Sequence, residues 1–201
     1  MSGKRAVVGL ADHWGWAVAV TIGSDGVLID RRRIELIDIG LPKHPYHHEG
    51  QSLPLSEAEE LVERVSESAH RNAADGLAAI ESEVSAQVVG IALRESPSLP
   101  ATVADRLTNY RAQNVADSVL YREALADAAS DRGWSVHRYD KRRVFVAAAA
   151  ALDRDDIDVV LRAVGRSVGP PWQQDHRMAV VAATVALDVL GHTVTSLAPP
   201  E

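Results

Sequence analysis

The chain has 201 residues, 46% hydrophobic and 24% charged, with no cysteine and a formal net charge of −7. That length suits one ordinary domain with a single substantial core. The absence of cysteine excludes a disulfide framework, and the acidic balance argues against broad adhesion to nucleic acid. No apolar run approaches the roughly 20 residues that span a bilayer, and no leader pattern precedes Ala6-Val7-Val8, so a cytoplasmic protein without a membrane partner is expected. About 30 alanines but only one phenylalanine supply the apolar share, so each tryptophan is a landmark, expected as a core plug.

Ala6 to Ala11 and Trp16 to Ile22 are short apolar runs, which predict two strands. Gly23-Ser24-Asp25-Gly26 is turn chemistry, and a third strand is expected from Val27 to Ile39, with Ile34 and Leu36 on one face. Three strands joined by tight turns make an antiparallel meander. Residues 40–54 contain three prolines together with His44, His47 and His48, and predict a mobile surface loop lying over the site. Three imidazoles and Glu49 within six positions are also a donor set for zinc or another borderline metal.

Ser56-x-x-Glu59 has capping-box spacing, and Leu61, Val65, Ala69, Ala73, Leu77 and Ile80 mark one helical face behind it. Gln87 to Leu93 is apolar on both faces, which predicts a central, parallel fourth strand. A helix is expected from Pro100 to Gly133, and a fifth strand over Trp134 to Tyr139. Helical patterns return from Val144 onward, the last running from about Trp172 to Leu190, before a tail over 192–201 whose Pro-rich end, Ala198 to Glu201, is expected to be frayed. The order is an α/β arrangement: one mixed five-stranded sheet with helices on both faces and a single domain over 1–201.

This order resembles the ribonuclease H-like superfamily. Four passages are similar to its bacterial Holliday-junction resolvase branch: Val7 to Asp12 with Gly15 to Val18, Gly90 to Glu95, Val136 to Asp140 with Val144, and Asp175 to Ala186. The resemblance implies a divalent-metal-dependent nuclease acting on structured or single-stranded nucleic acid. Asp12, Glu95 and Asp175 would then bind Mg2+ or Mn2+, with His176 beside them as a further catalytic residue. Phosphodiester hydrolysis uses such metals to activate water and to stabilise the leaving oxygen. The family aspartate stands two residues after a glycine, a place that Ala11 holds here, so convergence of the carboxylates requires a bulge before Asp12. The acid pair of the last helix is represented by Asp175 alone.

The alternative is a catalytically degenerate member of the fold, a binding or assembly module whose partner is nucleic acid, a second copy or another protein. Each candidate also has a plain structural role. Asp12 suits a turn, Glu95 a solvated strand end, and Asp175 the positive end of a helix dipole. Arg31 to Arg33 and Lys141 to Arg143 are two basic runs suited to phosphates or to solvated strand ends. Trp14 and Trp172 are the tryptophans nearest the expected site and have the chemistry to stack on a base.

Overall fold

The computed structural model describes residues 3–199. Strands β1 (Arg5–His13), β2 (Trp16–Gly23) and β3 (Leu28–Glu35) form the antiparallel meander. A 3-10 turn (Glu49–Ser52) and helix α1 (Leu55–Glu83) lead to β4 (Gln87–Arg94). Helices α2 (Val103–Thr108) and α3 (Tyr110–Ser130) precede β5 (Ser135–Tyr139), and α4 (Val144–Ala151), α5 (Ile157–Val168) and α6 (Gln174–Val189) complete the chain. The sheet order is β3-β2-β1-β4-β5, with β4 parallel to both β1 and β5. The mixed five-stranded sheet expected from the sequence is present.

Alternation along β1 sorts its side chains between two cores. Val8 and Leu10 join Leu61, Val65, Leu77 and Leu125, on the side of α1 and α3. Val7 and Ala11 join Leu161, Met178, Val181 and Leu187, on the side of α5 and α6. The alanines let these layers approach closely. A Cβ built on Gly9 of β1 would lie 1.8 Å from the Ala179 carbonyl oxygen of α6, so only glycine permits this packing.

Several boundaries differ from the sequence expectation. The helix expected from Pro100 to Gly133 is two, because the Asn109 side chain accepts from the Arg111 and Ala112 amides and starts α3 afresh. Ser56 is not the cap of α1, which begins at Leu55 after Pro54 without a side-chain cap. The third strand stops at Glu35, and Ile39 beyond it is fully exposed. The tail is not frayed where it is described: Ala198 exchanges backbone hydrogen bonds with Gly26 and Leu28. Pro200 and Glu201 lie outside the described residues.

Residues 40–54 form an anchored loop. Tyr46 is buried, and its amide and that of His47 donate to the Asp117 carboxylate of α3 at 2.9 and 3.3 Å. Tyr121 of α3 donates its hydroxyl to the Lys43 carbonyl at 3.1 Å. A buried carboxylate accepting two backbone amides supplies the order that the proline-rich sequence hid.

Candidate functional site

A cavity of about 490 Å3 opens at the carboxyl end of β1 and β4. Its walls include Asp12, Trp14, Arg94, Glu95, Tyr139 and Asp175. Three of the four residues expected at the site therefore share one pocket, where a parallel strand pair meets a helix start. Their surroundings are very different from one another.

The ladder from Ala6↔Gly23 to His13↔Trp16 between β1 and β2 is uninterrupted, and the one register shift against β4 places its extra residue, Val89, in β4, so β1 carries no bulge before Asp12. Asp12 accordingly faces α3, its side chain only 1% exposed. Its Oδ2 accepts from Arg122 Nε of α3 at 2.7 Å and from Arg94 at 3.1 Å. Oδ1 is buried with no hydrogen-bond partner. Two guanidiniums within hydrogen-bonding distance of one carboxylate oxygen offset its charge outright.

His13, one residue on, faces the other side of the sheet. Its Nε2 lies 3.0 Å from Asp175 Oδ2 at the start of α6. The imidazole stacks on Trp16 with centroids 4.1 Å apart and planes 7° from parallel, and Arg33 covers Trp16 at 4.1 Å. Strand alternation thus separates Asp12 and Asp175 onto opposite flanks of the sheet end, each already engaged by a cationic or imidazole partner. Glu95 follows the last residue of β4, is exposed, and donates its amide to the Tyr139 carbonyl at 2.9 Å. Tyr139 donates its hydroxyl to Leu10 O at 2.9 Å, and burial holds the phenol in its neutral form.

His176 is not on the pocket wall. Its Nδ1 accepts the Gln173 amide at 3.2 Å, closing a capping box on α6, and burial lowers its pKa. Trp172 is half-buried; a Cβ on Gly165 would strike its ring. Trp14, expected in the core, is 49% exposed at the pocket mouth.

The two basic runs part company. Arg31 is spent on the carbonyls of Val168, Gly169 and Pro170 at the end of α5, and Arg32 pairs with Asp30 and Glu83. Arg33 pairs with Glu35. Lys141, Arg142 and Arg143 are exposed, without an ion pair among the described residues, and Lys141 borders the pocket. Sequence reading did not single out Arg94 or Arg122; Arg122, an arginine on the apolar stripe of a helix, was the available signal.

Among the described residues, no three His, Asp or Glu side chains are arranged to hold a metal ion. The donor set does not fit a metal pair. A cation beside Asp12 would sit against Arg94 and Arg122, and Asp175 answers to His13.

No family model and no curated sequence matches the chain. Among solved structures, RuvC of Thermus thermophilus in complex with a Holliday junction substrate is similar over 96% of this chain and 99% of that one, with a TM-score of 0.52 and 14% identity. The fold is that of RuvC, a ribonuclease H-like sheet. A second T. thermophilus RuvC structure is similar over 94% of this chain and 98% of that one, at a TM-score of 0.49 and 12% identity.

Proposed function

We propose that this RuvC-like chain is a nucleic-acid-binding module that receives a phosphodiester at the carboxyl-end pocket through arginine and lysine instead of resident divalent metals. The observation that carries it is the Arg122–Asp12–Arg94 cluster, which puts guanidiniums beside the one buried acid of the pocket. Arg122 neutralises Asp12 from within, while Arg94, at 30% side-chain exposure, and Lys141 present charge to the opening. Guanidinium and ammonium groups are the usual phosphate contacts, and a forked guanidinium can hold two oxygens. The similar RuvC structure carries a Holliday junction substrate, which makes a four-way junction a natural probe beside a single strand and a duplex.

The basic groups are few, so binding is weak and moderately salt-sensitive. Contact with two or three phosphates of a single strand predicts a log–log salt slope of about −1.4 to −2, at roughly −0.7 per phosphate. The test is fluorescence anisotropy of labelled junction, duplex and single strand in EDTA. Binding should persist in chelator, and Arg94→Gln with Lys141→Gln should weaken it and flatten the slope by about 1.4. No binding to any of the three probes overturns the proposal.

A second reading, the metal-dependent nuclease, draws on the partnerless Asp12 Oδ1 and on Glu95 and Asp175 lining the same pocket. It predicts strand scission in Mg2+ or Mn2+ that Asp175→Asn abolishes. Intact junction after prolonged incubation with either ion rules it out.

A further inference from the structure

Four aromatic rings run in a row from the pocket mouth across the anchored loop. Trp14 meets His44 with centroids 4.8 Å apart and planes at 60°, and His44 meets His48 at 5.0 Å and 60°. His48 in turn meets His47 at 4.9 Å, nearly edge-on. Trp14 sits in the β1–β2 turn beside Gly15, whose φ of 78° lets the chain reverse at once and project the indole outward. The loop that carries the histidines is held by the Asp117 carboxylate at the Tyr46 and His47 amides and by the Tyr121 hydroxyl at the Lys43 carbonyl, so its backbone is anchored before anything binds.

We propose that Trp14, backed by His44, is a stacking platform for an unpaired base of a nucleic-acid strand whose adjoining phosphate enters the pocket beside Arg94 and Lys141. This rests on the binding reading above and deepens it, naming unpaired strand in preference to duplex. Three observations select that occupant. A half-exposed indole is costly to leave in water, and its contact with His44 is tilted by 60° and not a parallel stack. Trp14, Arg94 and Lys141 line one pocket, which joins a π-surface to cations, as in strand-binding grooves. Burial also lowers the pKa of His44, which favours the uncharged ring beside Trp14.

The experiment is anisotropy of a labelled oligothymidylate, the same strand with abasic sites, and a duplex, against wild type, Trp14→Ala and Trp14→Phe. Trp14→Ala should weaken oligothymidylate by about tenfold, the worth of one base–aromatic stack. Trp14→Phe should recover most of that, and the abasic strand should be nearly indifferent to either change. Equal losses on intact and abasic strands would mean that Trp14 shapes the pocket without stacking, which overturns this inference. Unchanged affinity of Trp14→Ala overturns it too, and leaves the phosphate reading standing. Failure of wild type to bind any probe removes both.

Discussion

Asp12 and His13 differ by one place in a strand, and that place decides the partners of each. Asp12 meets Arg122 and Arg94 on one side of the sheet, whereas His13 meets Asp175 on the other. Removing a single member of a buried pair leaves an uncompensated charge, so Arg122→Met should cost about 3–5 kcal/mol in urea unfolding. Adding Asp12→Asn should recover part of that loss, because an amide needs no counter-charge. A single-mutant cost well under about 1 kcal/mol would show that the pair holds nothing. Asp117 is a second buried acid with a different consequence. Burial pushes its pKa up to about 6, against an ordinary value of 3.8, with Glu49 adding to the rise and His48 and the Tyr46 and His47 amides opposing it. His44 lies nearest as an ionisable partner, 3.7 Å away. The folded state therefore holds this proton more tightly, and the group's contribution is fully present below about pH 4 and lost as pH rises through about 6. Unfolding of wild type and Asp117→Asn should show wild type gaining on the variant between about pH 6 and pH 4. A constant difference across that window contradicts the assignment.

At the scale of elements, β1 and α6 carry the site between them, and their contact depends on a missing side chain. Gly9→Ala would drive a methyl into the Ala179 carbonyl, costing about 3 kcal/mol and shifting α6 and with it Asp175. Urea unfolding checks this; a cost below about 0.5 kcal/mol means that the helix yields freely. Strand periods and turn residues made the sheet and its order legible, because β1, β2 and β4 are dense apolar runs bounded by glycine, histidine or a charged end. The three acids were legible as strand-end and helix-start residues, and they do share a pocket. Their partners were not legible. Arg94 and Arg122 are 28 residues apart and meet Asp12 only through the crossover that brings β4 and α3 against β1. The histidine loop misled in the same way, since its anchor, Asp117, sits more than 60 residues downstream on a helix.

For the whole molecule, the question is what offsets the acids at the sheet's carboxyl end. The surface as a whole is acidic, at −7, and no helix among the described residues is long and apolar enough to cross a membrane. Of the two basic runs, only Lys141 to Arg143 is free to meet a partner, because Arg31 to Arg33 are bound within the fold. A site neutralised by its own arginines gains nothing from divalent ions. A site of crowded carboxylates gains about 2.7 kcal/mol at 100 times the dissociation constant, several degrees in melting temperature. The most direct test is thermal unfolding of wild type and Asp175→Asn over a titration of Mg2+ and Mn2+. The arginine-compensated site predicts that neither protein's melting temperature responds to either ion. A rise of several degrees in wild type that Asp175→Asn abolishes would contradict it and restore the metal-dependent nuclease.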